Sequence, residues 1–419
     1  MSVDIRKKWL DYYSAKGYKV IPSAPLVHPA FPMSFNMSAG LVQIDPKIRS
    51  LKKIKPSKEC LVQKCFRHFD IDKVGDKTHL SFFEMPAAFE VGDLHETQTV
   101  EDLWNFVVTE LKIDKSKVWI TAFGGGKVNG KQISLIPQVE KQVKKLAGDH
   151  LVWGDETNTL WRQGGGAELN DNIRMCGPQV EFFYDFGVKE GCGQNQCNPL
   201  CGCGRFLEIG NILFIKYYID YNDNEKVKEL INQSTEAVVG LERAYWIVEQ
   251  KARLFETSLF APILEAANSK KQDEALMLIA DHLKALVYIL SEKEIIPGKN
   301  GRGRIIRKLI RDSIASMLVL GLKFETRERM IETIPRLYAD NYPDLKIDTT
   351  IKQISEHIPT FAKTIERAHL KLGQKLEGDI MRLRDEDLKF FQEEYGIPSW
   401  LTSWLADQPV KLNILGKLA

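Results

Sequence analysis

The sequence predicts an α+β protein: an antiparallel β-sheet flanked by helices, followed by an all-helical domain. Three observations carry this. Residues 1–240 hold strand-like runs between glycine-rich turns, namely KVWITAF (117–123), QVEFFYDFG (179–187) and RFLEIGNILFIKYY (205–218). Those runs do not alternate with helices in the βαβ order of a doubly wound sheet. From 241 onward, apolar residues recur at three- and four-residue spacing over 241–255, 270–291, 303–321, 325–339, 350–374 and 378–395, the period of amphipathic helices. The expected domains are therefore 1–240 and 241–419, with Pro297 and Pro398 at helix junctions.

The totals limit the function classes. A chain of 419 residues is long enough for two or three domains, and 44% hydrophobic with 27% charged residues is the balance of a soluble globular protein. A net charge of +2 excludes bulk attraction to nucleic acid, so any such binding needs a local patch. The N-terminal stretch MSVDIRKKWLDYYSAKGY reads as an amphipathic helix and lacks the apolar core of a signal peptide. No apolar run reaches the roughly eighteen residues of a membrane span, so no membrane partner is expected. Seven cysteines, four of them in one short loop, suggest a reducing compartment, by default the cytoplasm, and a metal.

The next element, Lys64 to Met85, reads as two strands, Lys64–Phe69 and Leu80–Met85, around a polar loop with Asp70, Asp72, Gly75 and Asp76. Arg67 offers a planar fork of donors for phosphate or carboxylate, and Phe82 and Phe83 offer flat platforms for a purine. On its residues alone the segment fits a nucleotide-holding hairpin or a surface hairpin with ordinary salt bridges. The segment resembles motif 2 of the class II aminoacyl-tRNA synthetases, specifically the alanyl-tRNA synthetases, which run from C-x-R through D-x-D/N-x-V-G to H-x-T-F-F-E-M. The resemblance implies an ATP site using Arg67, Asp70, His79 and Phe83, with Phe83 stacking on adenine, His79 supporting the triphosphate and Asp70 ordering the loop.

Further stretches extend the resemblance. GYKVIPSAPLVHPAFPMSFNMSAGLVQ (17–43) is similar to motif 1, and EAVVGLERAYWIVEQ (236–250) to motif 3, placing Arg243 opposite Arg67 on the triphosphate. NTLW (158–161) and FLEIGN (206–211) resemble the family's N-F-W and E-I-W-N. Trp161 and Asn211 would then line the amino-acid pocket, with Glu208 a ligand for Mg²⁺; Trp161 also fits a plain core position. The pocket departs from the family. Glu236 stands for an aspartate, Val238 for a glycine, and Gly210 for the tryptophan of E-I-W-N, opening space. One methylene is worth roughly 1–3 kcal/mol of discrimination, so these changes bear on which amino acid is chosen.

The loop GCGQNQCNPLCGCG (191–204) places Cys192, Cys197, Cys201 and Cys203 at C-x4-C-x3-C-x-C, enough soft ligands for a structural tetrahedral Zn²⁺, or four reduced cysteines in an insertion. GGGK (124–127) and GGG (164–166) lack phosphate-loop spacing and read as turns.

In the helical region, ADHLKALVYILSEKEIIPGKNGRGRIIRKLIRDS (280–313) resembles the family's A-D-H-x-R…P-S-N-E-G-R-G-Y stretch. It bears Lys299, Arg302, Arg304, Arg307, Lys308 and Arg311 with no acid between Glu294 and Asp312, a strip suited to RNA phosphates or simply to solvent. LKFFQEEYGIPSWLT (388–402) resembles a second family stretch and places Glu393 where the family has an acid; Lys299 stands where the family reads a base pair with asparagine.

The resemblance implies an alanine–tRNA ligase that makes alanyl-adenylate with ATP and Mg²⁺ and passes alanine to the 3′ end of tRNA(Ala), binding its acceptor stem. A paralogue using a different small amino acid or a non-tRNA acceptor fits the pocket changes. A catalytically silent RNA-binding relative is the third reading, against which the retained Arg67, Phe83 and Arg243 speak. None of the eight histidines pairs in the family's H-x-x-x-H editing signature, so either the pocket is accurate enough alone, or a separate editing or C-terminal subunit is a partner, or the chain is a fragment of a longer protein.

Overall fold

Long runs of β-branched and aromatic residues make the central strands, and their register places the site. The computed structural model describes residues 3–29, 35–164, 172–194, 196–268, 274–376, 383–409 and 412–418. Two compact units divide the chain: one comprises Met1–Ala24, Met37–Cys65 and Phe83–Leu254, the other Pro25–Asn36, Phe66–Phe82 and Phe255–Ala419. The stretches 25–36 and 66–82, embedded in the strand-rich half of the sequence, thus belong to the helical unit, and 241–254 belong to the sheet unit.

The sheet unit's strands are β1 (Lys19–Val20), β2 (Ser57–Phe66), β3 (Phe82–Val91), β4 (Val118–Phe123), β5 (Gly126–Val128), β6 (Lys131–Ile133), β7 (Leu151–Gly154), β8 (Leu160–Arg162), β9 (Ile173–Asp185), β10 (Phe206–Asp220) and β11 (Lys226–Val239). Nine form one sheet in the order β1-β2-β3-β11-β10-β9-β4-β7, with β8 pairing on β9; β5 and β6 form a small hairpin. Neighbours from β3 through β11, β10 and β9 to β4 are antiparallel. The sheet is mixed, because β1–β2 and β4–β7 pair in parallel. Strand β7 returns to β4 through the crossover helix α4 below, the kind of connection a parallel pair requires. The GGGK turn does lead into a hairpin, whose Asn129 and Gly130 both take positive φ (45° and 84°), the type I′ requirement.

Helices α1 (Ile5–Ala15), α2 (Leu41–Ile48), α3 (Glu96–Asn105), α4 (Pro137–Ala147) and α5 (Leu241–Val248) accompany the sheet. Leu41, Ile44 and Ile48 of α2, spaced along one helix face, share a core with Leu61, Phe89, Val91, Leu213 and Ile215. Trp9 of α1 donates its indole N–H to the Ala87 carbonyl at 3.2 Å. One turn earlier, buried Arg6 grips buried Glu84 of β3 through both guanidinium nitrogens, with Nε–Oε1 at 2.8 Å. Glu242 of α5 accepts the Glu84 backbone N–H at 3.1 Å, so one polar knot joins α1, β3 and α5.

The helical unit holds α6 (Ala261–Ala266), α7 (Glu274–Glu292), α8 (Gly301–Leu320), α9 (Phe324–Tyr338), α10 (Asp348–Leu376), α11 (Asp385–Tyr395), α12 (Ser399–Ala406) and α13 (Ile414–Leu418). α7 is buried almost throughout, as an apolar run from Leu276 to Leu290 requires, yet it carries buried Asp281, His282 and Lys284. Among the described residues, no helix is long and apolar enough to cross a membrane.

Arg6→Met leaves the Glu84 carboxylate buried without its guanidinium, and such a loss typically costs about 3–5 kcal/mol. Urea unfolding should register a fall of that order.

Candidate functional site

In a regular strand, side chains three residues apart point to opposite faces, so Glu208 and Asn211 of β10 would be separated by the sheet. They are not. Pairing with β9 runs Glu208↔Phe183, then Gly210↔Phe182 and Asn211↔Glu181, so Ile209 is an extra residue in a β-bulge. The bulge turns both side chains to one face, where the Asn211 amide donates to Glu208 Oε1 at 2.9 Å. Glycine is required at 210, since a Cβ there would lie 2.4 Å from the Val238 carbonyl oxygen. β10 and β11 therefore pass in close contact at Gly210, and the glycine opens no space there.

Cross-strand register sets a row of residues on this face: Val238 (β11), Asn211 (β10), Glu181 (β9) and Thr121 (β4). Arg243, in the first turn of α5, donates through one terminal nitrogen to the Glu208 carbonyl oxygen at 2.9 Å and lies 3.3 Å from Glu208 Oε2. Glu208 is thereby the hub between the arginine and Asn211. Asn211 Oδ1 is buried and accepts no hydrogen bond among the described residues, leaving an acceptor for an incoming donor. Thr121 Oγ1 donates to Glu181 Oε2 at 2.7 Å. Burial first, then the nearby Glu208 carboxylate, pushes Glu181 up to about 7. Glu181 was not singled out by sequence reasoning; the available signal was one acid inside the otherwise apolar core of QVEFFYDFG.

The other amino-acid-site candidates lie deeper. Val238 is buried in the main core, and Trp161, half-buried, packs against that core from β8. Glu236 is only 2% exposed, paired across from Phe89 and Leu213, with Oε1 3.5 Å from where a Cβ on Gly40 would sit, at the start of α2.

The motif-2-like segment is shorter in strand and richer in turn than its pattern suggests. β2 ends at Phe66 and β3 begins at Phe82; between them a 3₁₀ helix (His68–Lys73) and a turn fill the loop. Within the helical unit, Arg67 donates its backbone N–H to the Ser81 carbonyl at 2.8 Å and accepts from Asp70 N–H at 3.0 Å, closing the loop's neck. Asp70 is buried and pairs with Lys73 at 2.9 Å. Asp76 accepts from the backbone N–H groups of Thr78 and His79 and lies 2.5 Å from His79 Nδ1, which fixes the imidazole. Phe83, half-buried, belongs to the sheet unit.

Cys192, Cys197, Cys201 and Cys203 hold their four Sγ atoms within 4.8 Å of one another, with Cys197 at 3.7 Å from Cys201 and 3.6 Å from Cys203. A tetrahedral Zn²⁺ with Zn–S near 2.3 Å sets sulfurs about 3.8 Å apart, so this donor set fits the ion. A hydrogen bond from the Arg205 backbone, followed by one from the Cys201 thiol, draws Cys203 down to about 6, which favours the thiolate a metal needs.

Of the basic strip on and before α8, Lys299 and Arg304 are exposed and Arg307 is half-exposed. Arg302 donates to the His28 carbonyl at 2.8 Å and lies over Phe35. Arg311 donates to the Tyr395 carbonyl at 3.2 Å and lies over Phe361; burial lowers its pKa. Glu393 is exposed on α11, 3.9 Å from Lys389.

Residues 4–413 match the family described as tRNA synthetases class II (A). An alanine–tRNA ligase of Dehalococcoides mccartyi is 29% identical over 97% of this chain and 46% of its own length. One from Elusimicrobium minutum is 30% identical with the same coverages. The chain spans about half the length of these relatives. A solved S. aureus histidyl-tRNA synthetase aligns at 9% identity and TM-score 0.34, over 58% of this chain and 64% of that one.

The raised pKa of Glu181 fixes a pH dependence. A carboxyl with a higher pKa folded than unfolded contributes stability that is complete below the ordinary glutamate value and is lost as pH rises through about 7. Glu181→Gln has no such loss. Urea denaturation should find the variant gaining on the native chain between pH 4.5 and 7.5, by on the order of 2 kcal/mol.

Proposed function

This chain belongs to the class II tRNA synthetases, and from that premise we propose that it is an alanine–tRNA ligase. In the first step the alanine carboxylate attacks the α-phosphorus of ATP, forming the mixed anhydride alanyl-adenylate and releasing pyrophosphate. A ribose hydroxyl of the terminal adenosine of tRNA(Ala) then attacks the carbonyl, and AMP leaves. No side chain need act as base in the first step, because the carboxylate is already ionised; positioning and charge stabilisation supply the rate.

The observation that carries this reading is the Glu208–Asn211–Arg243 cluster, gathered on one sheet face by the bulge and anchored at 2.9 Å contacts. Arg243 and Arg67 take the polyphosphate, whose negative charge their forked donors match. His79, held by Asp76, supports the phosphates; Asp70 orders the loop and Phe83 stacks on adenine. Asn211 Oδ1 receives a donor from the amino acid, while Val238 and Trp161 close the pocket around a small side chain and buried Glu236 adds negative charge beneath it. Glu208 is the residue to hold Mg²⁺, with Glu181 beside it; the ion would neutralise developing phosphate charge. Lys299, Arg304 and Arg307 meet the phosphates of the acceptor stem, with Arg302 and Arg311 shaping the helix that presents them and Glu393 on the second stretch. The compartment proposed is the cytoplasm.

A second reading, activation of a different small amino acid, is favoured by the burial of Glu236 and by Val238 on the pocket row. ATP–pyrophosphate exchange against all twenty amino acids separates them. Exchange led by alanine supports the ligase; a different leader supports the second reading, and silence with every amino acid rejects both. Arg67→Ala and Arg243→Ala should each lower exchange kcat/KM by roughly 10²–10³-fold, the scale of losing one transition-state donor.

The four-cysteine loop is proposed to bind a structural Zn²⁺, with all four positions filled by thiolate and none left for substrate. Elemental analysis of the purified chain should find about one zinc per chain, falling to none in Cys197→Ser/Cys203→Ser. A metal-free native chain would reject the site.

A further inference from the structure

The loop 66–82 carries three of the proposed ATP contacts, and what fixes that loop lies within the helical unit. At its exit, Ser81 donates its backbone N–H to Asp281 Oδ1 of α7 at 3.0 Å and its hydroxyl to Asp281 Oδ2. Both residues are fully buried. The adjacent Phe82 stacks on Tyr288 of α7 at 4.2 Å between ring centres, and buried Lys284 places Nζ 5.2 Å from the Phe82 ring centre. At the loop's far side, Asp72 meets Lys308 of α8 at 2.8 Å.

These two anchors are bridged by a row of charged side chains whose middle step is an ion-pair approach rather than a hydrogen bond. Asp281 Oδ2 lies 3.1 Å from His282 Nδ1, His282 Nε2 lies 3.8 Å from Asp312, and Asp312 lies 2.9 Å from Lys308, the residue that holds Asp72. The chain Ser81–Asp281–His282–Asp312–Lys308–Asp72 thus begins and ends in the loop, and its middle is buried between α7 and α8. A buried, paired network of this kind has few alternative arrangements, because moving one member leaves the next charge unpaired at several kcal/mol. Lys308 follows Arg307 directly and lies one turn beyond exposed Arg304 on α8, so the helix that fixes the loop is also the one presenting these cations.

We propose that Asp281 and Lys308 are positioning residues for the 66–82 loop, and that an RNA stem lying on Arg304 and Arg307 tightens this loop and strengthens ATP binding. The proposal rests on the adenylate-forming reading above. By linkage, ATP must strengthen RNA binding by the same factor.

The test measures the KM for ATP in pyrophosphate exchange, with and without a saturating RNA hairpin carrying a tRNA(Ala) acceptor stem, alongside hydrogen exchange of residues 66–82. In the native chain the hairpin should lower the ATP KM roughly fivefold, within the usual range of coupling energies, and slow exchange across 66–82. Asp72→Asn, at an exposed position that leaves the core untouched, should raise the KM about 2–5-fold with kcat unchanged, the scale of a surface pair, and Asp72→Glu should restore it. Lys308→Met should abolish the hairpin's effect on KM and on 66–82 protection while retaining hairpin binding. Unchanged KM, protection and hairpin response in both Asp72→Asn and Lys308→Met would overturn the proposal. Should the native chain show no exchange activity with any amino acid, the ligase reading falls. The proposal is then decided by hydrogen exchange alone: faster exchange of 66–82 in both variants sustains the anchoring, and native-like protection rejects it.

Discussion

One extra residue in β10 governs the chemistry of the sheet face. Without the bulge at Ile209, Glu208 would project opposite to Asn211 and Glu181, and Arg243 would find its carboxylate partner on the wrong side. Beside the bulge stands Gly210, where β11 passes so close that a single methyl group would strike the Val238 carbonyl. A backbone irregularity thus does what no side-chain substitution could: it changes the period of the strand at one point and leaves the rest in register.

The electrostatics follow from that placement. Two glutamates sit on one partly desolvated face, and the cost appears in the raised proton affinity of Glu181, while an amide and a guanidinium hold Glu208 in place. Such a face favours an added positive group, as an amino-acid ammonium or a divalent ion would be. The arginine is fixed beforehand by a backbone carbonyl, so little of its side-chain freedom remains to be lost when an anion arrives.

In the helical unit a different solution serves the loop. Its neck is closed by the Arg67–Ser81 backbone bond and its tip ordered by Asp76, while Asp281 of α7 and Lys308 of α8 hold its exit and far side. The apolar character of α7 makes those charges costly to leave unpaired, and Asp281, His282, Asp312 and Lys308 lie successively within ion-pair distance of one another.

Sequence by itself determined the broad architecture, since strand and helix declare themselves through local periodicity, and a strand-rich half followed by helices needs no long-range information. It also determined the family, because motif residues such as Arg67, His79 and the GLER stretch ending at Arg243 are local strings. Three things only the tertiary structure decided. The 66–82 loop joins the helical unit, because Asp281 and Lys308 lie two hundred or more positions from their partners Ser81 and Asp72, and spacing cannot connect them. Arg302 and Arg311 turn to backbone carbonyls and aromatic rings while Arg304 faces solvent, a division that a run of like charges conceals. And Glu181 joins Glu208 and Asn211, because strand register and one bulge, rather than residue type, set which side chains share a face.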